Sequence, residues 1–542
     1  MEEDMVSWKD HWDSTVKEGI TLQKIGGRMI ETYQNMPVNL YAALLRTKEK
    51  FAERIALVNY DGEQFSYNRF TEMVDALGVV LKNVYHIEKG DHVGLLLYNG
   101  IEFCVAYLAL CKIGAVVCSL PGKYKEPELC SLADKADLQF LICEEFFASW
   151  FERRPEVVRI VSRRHEECGY GFAYLMQNLS TQDRTQTEND LNDPVILMFT
   201  SGTTSHSKGV LLRNYNVMHS VEAYIRVLDL TEEDIALVAT PMYHITGLVC
   251  ILAVMISCGG RLHIHKKVDP DEMIRTCLKD GITYLHASPT VFSMMLSKSR
   301  EYPELTSITD LACGSGNIPP KNIQRLKNWI PNAKFHTVFG MTETSGAGTI
   351  FPNGAADSEY IGASGVPMPN MQIRIMDDNN TELPVGEVGE VCVKASFVLE
   401  QYYKEQLDAI SEDGWLKTGD LGYCTEAGYL YIVDRKKDMI NRGGEKICSF
   451  DIENELLLLP GVIEAALIGK PDPKYMEVPV AMLHVEDSFT MTVDEIKEFL
   501  MKRVARYKVP EEIWFVPEIP KTINGKVDKR ALRVILEQKT GL

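Results

Sequence analysis

The chain has 542 residues, enough for three or four folding units at roughly 100–200 residues each. Hydrophobic residues make up 45% and charged residues 25%, a balance that excludes disordered, fibrous and collagen-like proteins. A formal charge of −19 opposes loose attraction to phosphate backbones or anionic lipid, so no nucleic-acid role is expected.

The opening residues Met1-Glu2-Glu3-Asp4 are acidic where an export or organelle presequence is basic, which predicts a cytoplasmic location. Residues 1–38 read as an amphipathic cap or an oligomer contact, the basis for considering a homodimer. Between Asn39 and Glu144, helical stretches over 70–81 and 103–112 alternate with apolar runs at 92–97 and 138–142. That alternation predicts α/β layers with parallel strands. Segment 152–193 is polar with weak periodicity and is expected to wrap the surface between two lobes.

The pattern resumes after Pro194, with strands predicted near 195–199, 235–239, 261–265, 283–287 and 334–338. The longest apolar run, 247–258, falls short of the ~20 residues that cross a bilayer, so a buried helix is expected and no membrane span. After Gly362, short alternating runs and turn pairs such as Asp377-Asp378-Asn379-Asn380 predict a small β-rich subdomain over 362–434. Past the charged stretch 434–438 a nearly neutral α+β region continues to the end. The expected division is 1–434 and 435–542.

Thirteen cysteines, an odd number with no CxxC pair, fit reduced thiols in the core, and Cys104, Cys111 and Cys118 recur at sevens on a helix and the strand after it. His263 and His265 lack a third and fourth ligand at metal-site spacing, so no zinc site is expected.

Four segments carry chemistry. Phe199-Thr200-Ser201-Gly202-Thr203-Thr204-Ser205-His206-Ser207-Lys208-Gly209 follows a predicted strand. Its small and hydroxyl residues let backbone amides approach phosphate oxygens, and Lys208 adds a mobile cation. The GxxxxGK[ST] pattern is absent, so it is not a Walker A loop. Val338-Phe339-Gly340-Met341-Thr342-Glu343 ends another strand, where an aromatic can stack a base and a carboxylate can hold Mg²⁺ between phosphates. Lys417-Thr418-Gly419-Asp420 offers a carboxylate to a ribose diol, and Asn524-Gly525 predicts a tight turn presenting Lys526. Taken alone, each segment fits an ordinary surface turn at least as well.

Together with 433–447 (VDRKKDMINRGGEKI) and 524–532 (NGKVDKRAL), this ordered set resembles the adenylate-forming superfamily of acyl-CoA synthetases, luciferases and peptide-synthetase adenylation domains. Nearly the whole chain is covered, and the pattern is most similar to free-standing acyl-CoA ligases of the fatty-acid or carnitine-related type. The resemblance implies an α/β fold. Its large N-terminal domain would hold two layered α/β sheets and the β-rich subdomain, followed by a smaller mobile α+β C-terminal domain.

The resemblance also implies an acid activated with ATP to an acyl-adenylate and pyrophosphate, then transferred to CoA with release of AMP. Thr200, Ser201, Gly202, Thr203, Thr204 and Lys208 would cradle the β- and γ-phosphates, with Glu343 and Thr203 near Mg²⁺. Gly314, Ser315, Gly316, Phe339, Gly340, Met341 and Thr342 would form the adenine and α-phosphate site, and Asp420 with Arg435 the ribose site. Lys526 would bridge the acid carboxylate and the α-phosphate, and His244 would stand beside the acyl carboxylate. Lys437 would be the hinge, and Gly443 and Gly444 would pass the pantetheine arm. Asn317 is expected to make the acyl-pocket floor polar. The rival readings are transfer to a carrier-protein pantetheine, a luciferase-like oxygenase and a non-catalytic nucleotide-binding module.

Overall fold

The computed structural model describes residues 6–161, 188–200, 207–405, 408–522 and 526–540. Two large sheets form the body. The first has six strands in the order Lys208–Arg213, Pro194–Thr200, Val116–Ser119, His92–Leu96, Phe140–Cys143 and Val158–Val161; all pair in parallel except Lys208–Arg213. The second has nine, with a parallel centre running Lys334–Gly340, Asp310–Cys313, Tyr284–Ala287, Ile235–Val238, Arg261–Ile264 and Ile55–Val58. Each strand predicted after Pro194 is present within two residues of its expected ends. Segment 152–193 is not only a wrap: Val158–Val161 closes the edge of the first sheet, and residues 162–187 lie outside the described set.

Helices between the sheets account for the helical periodicity. Ile101–Ile113 is apolar all round and almost wholly buried, which is why its sequence carries no polar face. Tyr67, at the start of helix Tyr67–Asn83, has its hydroxyl 3.1 Å from the Met255 carbonyl and 2.7 Å from the Gly260 carbonyl, tying that helix to the 247–258 run and the turn after it. That run is buried as expected, but it opens as a wide π-type turn over Thr246–Ala253 before the α-helix Val254–Cys258. Gly247 permits this: a Cβ there would lie 2.7 Å from the Pro241 carbonyl oxygen. The described cysteines are free, and Cys104, Cys111 and Cys118 are buried among these elements.

The β-rich region is an antiparallel sheet of Gln372–Met376, Gly389–Lys394, Leu416–Cys424 and Leu430–Arg435, with Val6–Ser7 added at its edge. The amino-terminal segment therefore packs on its own chain. Trp12 donates to the Pro367 carbonyl at 2.8 Å, and the hairpin Ile20–Ile25/Arg28–Tyr33 follows it. The last sheet combines Glu445–Ile447, Ile440–Arg442, Met476–Val485, Val462–Asp472 and Glu512–Phe515, backed by helices Ser449–Leu456, Val493–Met501 and Lys529–Thr540. Its core is separate from that of the body. Among the described residues no helix is long and apolar enough to cross a membrane.

Candidate active site

The candidate residues gather where carboxyl ends of parallel strands meet the antiparallel sheet and the last loop of the chain. Strand Lys334–Gly340 delivers Phe339 and Gly340, and the tight turn Thr342–Thr344 swings Glu343 into the interior, where it is 6% exposed. Glu343 Oε1 accepts from the Thr200 hydroxyl at 3.3 Å and from the Tyr402 hydroxyl at 3.2 Å. The Glu343 backbone carbonyl accepts from Leu399 N–H at 2.7 Å, and Lys208 Nζ lies 5.2 Å from the Tyr402 ring centroid. Tyr402 thus touches the predicted phosphate-loop cation and the predicted metal carboxylate at once. Nothing in the spacing of the Tyr402-Tyr403 pair marked it, because its role arises from segment 399–403 folding back across two loops distant in sequence.

Burial raises the Glu343 pKa, opposed by the hydrogen bonds from Tyr402 and Thr200. Among the described residues no three His, Cys, Asp or Glu side chains are grouped to hold a metal unaided. One buried carboxylate flanked by hydroxyls is a hard-oxygen set that suits Mg²⁺ shared with nucleotide phosphates.

Asp420 and Arg435 are cross-strand neighbours in the antiparallel sheet, and their side chains pair at 2.6 Å. Burial raises the Asp420 pKa, with Arg435 and then Lys526 opposing. Lys526 completes the group. Its loop is held by Thr522 N–H donating to the Lys526 carbonyl at 2.7 Å and Lys526 N–H donating to Thr522 Oγ1 at 3.2 Å. The residue is exposed, and Arg435, Asp420, Glu343 and Lys437 act electrostatically on its ammonium. Desolvation lowers its pKa, Arg435 lowers it further, and the two carboxylates oppose. Lys437 follows Arg435 in the turn between the antiparallel sheet and the last sheet.

Gly314 follows strand Asp310–Cys313 and is buried, its N–H donating to the Ala287 carbonyl at 3.2 Å. Ser315 adopts φ 69° and Gly316 is exposed. Met341 and Thr342 line the approach to Glu343, Met341 N–H being held by Thr344 Oγ1 at 3.1 Å. His244 packs against Tyr243 with ring centroids 4.5 Å apart and planes tilted by 57° at the entrance to the wide helical turn, and burial pushes the Tyr243 hydroxyl up to about 12. Ser201, Gly202, Thr203 and Thr204 lie outside the described residues.

One expectation is revised. Asn317 does not floor a pocket: it is exposed, and its amide reaches Asn454 Oδ1 of the last sheet's module at 3.5 Å. Gly443 and Gly444, expected beside the adenylate only once the small domain has turned, are exposed. They turn the hairpin Ile440–Arg442/Glu445–Ile447 with φ 62° and 98°, held by Gly443 N–H to the Tyr475 carbonyl at 2.6 Å and Gly444 N–H to Asn441 Oδ1 at 2.9 Å.

The arrangement can hold a polyanion between Lys208, Lys526 and Arg435, with a carboxylate on each side. The family model described as AMP-binding enzyme matches residues 44–403, and that of the AMP-binding enzyme C-terminal domain matches 451–526. A 2-succinylbenzoate–CoA ligase of Bacillus cytotoxicus is 32% identical over 84% of this chain and 90% of its own length. The o-succinylbenzoate CoA synthetase of Bacillus subtilis, solved with ATP and magnesium ion, superposes with a TM-score of 0.80 at 26% identity, covering 91% of this chain and 99% of that one. ATP-bound MatB from Rhodopseudomonas palustris superposes at 0.85 with 25% identity, covering 93% and 99%.

The fold is that of adenylate-forming enzymes, a large N-terminal and a small C-terminal domain. This chain belongs to the AMP-binding enzyme family. Its activity is that of an AMP-forming acid–thiol ligase, adenylate formation followed by thioester formation.

Proposed function

We propose that this chain activates 2-succinylbenzoate, an aromatic acid with a second carboxylate, and passes it to CoA rather than to a carrier protein. The convergence of Lys526, Asp420, Arg435 and Glu343 on one cleft carries the chemistry. The acid rests on relatives of about a third identity that span most of this chain. The fatty-acid or carnitine-like acid expected from the motifs gains no support from those relatives.

In the first step the acid carboxylate attacks the α-phosphorus of ATP, the bond to the bridging oxygen breaks, and pyrophosphate leaves. The ammonium of Lys526 offsets charge gathering on the phosphoryl oxygens. Asp420 accepts from the ribose hydroxyls, with Arg435 holding that carboxylate in place. Phe339 to Thr342 and Gly314 to Gly316 border the adenine and α-phosphate. Thr200 to Thr204 and Lys208 hold the β- and γ-phosphates. Mg²⁺, held by Glu343 with Thr203, would supply charge neutralisation between phosphates. His244 borders the acyl carboxylate.

In the second step the CoA sulfur attacks the acyl carbon and AMP leaves. Lys437 serves as the hinge between the units 1–434 and 435–542, and Gly443 and Gly444 admit the pantetheine arm. The described cysteines, mostly buried and unbridged, support a reducing, cytoplasmic setting.

The test is pyrophosphate and AMP release from ATP across 2-succinylbenzoate, benzoate-type, fatty and carnitine-like acids, each with and without CoA. AMP release that needs both 2-succinylbenzoate and CoA is expected. Lys526→Ala should cut pyrophosphate release by on the order of 10²-fold or more. Turnover confined to another acid class rejects the substrate, and a Lys526→Ala rate equal to wild type rejects the site.

A further inference from the structure

Behind the Lys526 loop lies a buried charged cluster to which no role above belongs. Asp434, on strand Leu430–Arg435, is 1% exposed. Its Oδ1 accepts from Arg435 N–H at 2.7 Å and its Oδ2 from Ser449 N–H at 2.5 Å. Ser449 opens helix Ser449–Leu456, on the far side of the crossing at 436–437. Lys529 opens the last helix, three residues after Lys526. Its ammonium pairs with Glu453 Oε1 at 2.9 Å and donates to Ser449 Oγ. Glu453 also accepts Leu467 N–H at 2.8 Å. Ser449, Glu453 and Lys529 are all less than a tenth exposed.

Lys529 thus pairs with one buried carboxylate, Glu453, and is linked to the other, Asp434, through Ser449, whose N–H serves Asp434 and whose hydroxyl oxygen serves Lys529. Burial is the largest influence on Asp434 and on Glu453, raising both, and Lys529 is the foremost group opposing it at each. Removing the lysine would leave buried negative charge without a counter-ion. The cluster therefore holds the base of the last helix against the strand that carries Arg435. Lys529 stands three residues after Lys526, and between them Asp528 N–H donates to the Pro520 carbonyl at 2.8 Å. One turn further along, Arg533 pairs with Asp438 Oδ1 at 3.1 Å.

We propose that Lys529 and Asp434 are positioning residues for adenylate formation: through Ser449 they lock the last helix to the Arg435 strand and so set where Lys526 stands against Asp420 and Arg435. This rests on the assignment of Lys526 above. The lock serves the first half-reaction alone, since thioester formation from a finished adenylate makes no demand on that ammonium.

The two half-reactions are measured apart on the full-length enzyme. Pyrophosphate release is followed with 2-succinylbenzoate, and thioester formation with synthetic 2-succinylbenzoyl adenylate and CoA. Lys529→Gln should lower kcat for pyrophosphate release on the order of 10²-fold, as ångström-scale misplacement does, while the thioester step stays within about threefold. Lys529→Arg should regain most of the loss. The Lys529→Gln/Asp434→Asn double variant should be little worse than the poorer single, as coupled residues require.

A second readout needs no acid: acetic anhydride labelling of Lys526 against pH, followed by mass spectrometry. Its midpoint should rise in Lys529→Gln, as an ammonium released from the cleft returns toward ordinary lysine behaviour, and should return in Lys529→Arg. Equal losses in both half-reactions, or an unshifted Lys526 labelling profile, overturn the proposal. Lys526→Ala separates the two claims. If it releases pyrophosphate like wild type, the Lys526 assignment has failed and the labelling profile alone decides the lock.

Discussion

Glu343 accepts hydrogen bonds from Thr200 and Tyr402 with a carboxylate whose pKa burial raises above the ordinary value of 4.5. A carboxyl whose folded-state pKa exceeds its unfolded one stabilises the fold below the unfolded pKa, and that contribution is lost as pH rises through the folded value. Without nucleotide and metal, Glu343 should therefore burden the fold at neutral pH. Glu343→Gln keeps an oxygen for both hydroxyls and removes the charge. Its melting temperature in the absence of ATP should exceed wild type at pH 7.5, with the gap closing toward pH 4. Its turnover should fall at least tenfold and respond little to added Mg²⁺. Differential scanning calorimetry over that pH range is the check; a gap that widens toward acid would refute the sign.

A buried imidazole is one of the groups that hold the hairpin Ile20–Ile25/Arg28–Tyr33 to the body. His219, on helix Asn214–Val227, has Nδ1 2.8 Å from Thr32 Oγ1 and Nε2 3.1 Å from the Pro369 carbonyl oxygen. With Nε2–H donating to Pro369, Nδ1 is left to accept from the Thr32 hydroxyl, an arrangement open only to the neutral ring. Desolvation lowers its pKa to about 4. A depressed histidine gives stability that is present above its unfolded pKa of 6.5 and lost as pH falls toward the folded value. Hydrogen exchange over residues 20–33, corrected for intrinsic rate, should show easier opening at pH 5 than at pH 7. His219→Gln should destabilise the segment by roughly 1–3 kcal/mol at pH 7 and remove that pH dependence. A local probe is needed because His263 and His286, lowered by burial to about 4 and about 3, contribute to general acid unfolding.

This hairpin also marks what the sequence could not tell. The parallel strands were legible because they are buried on both faces and short, so apolar runs between turn residues mark them directly. Residues 20–33 alternate weakly, with Leu22 and Met29 pointing outward, and the attachment through His219 joins residues 187 apart. The site divides likewise. Glu343, Asp420 and Lys526 stand in compact motifs, whereas Tyr402 and the pair Asp434 and Lys529 matter through contacts between segments that no local pattern records.

The body and the last sheet's module meet largely through exposed polar contacts. Lys436 pairs with Asp378 at 3.0 Å and Glu390 at 2.9 Å, Lys446 approaches Asp378 at 4.0 Å, and Lys321 reaches the Leu458 carbonyl at 3.5 Å. Exposed pairs of this kind contribute about 0–1 kcal/mol each and are screened by salt, the Debye length falling from about 10 Å at 0.1 M to about 3 Å at 1 M. Their small worth matches a junction that must hold one arrangement for adenylate formation yet release it. Lys436 and Lys437 are themselves trypsin targets, and Lys436 is protected only while its two carboxylates hold it. Cleavage after 436–437 should therefore quicken roughly two- to fivefold between 0.05 and 0.5 M NaCl. Asp378→Asn should be cut at the faster rate even at low salt and should respond less to added salt, with its melting temperature unchanged. ATP with Mg²⁺ should slow cleavage, because nucleotide gathered between Asp420, Arg435 and Lys526 bridges the two bodies. A nicking rate indifferent to both salt and Asp378→Asn would mean that the junction is held by its buried contacts, above all Asp434 to Ser449, and that the outer ion pairs carry none of the restraint.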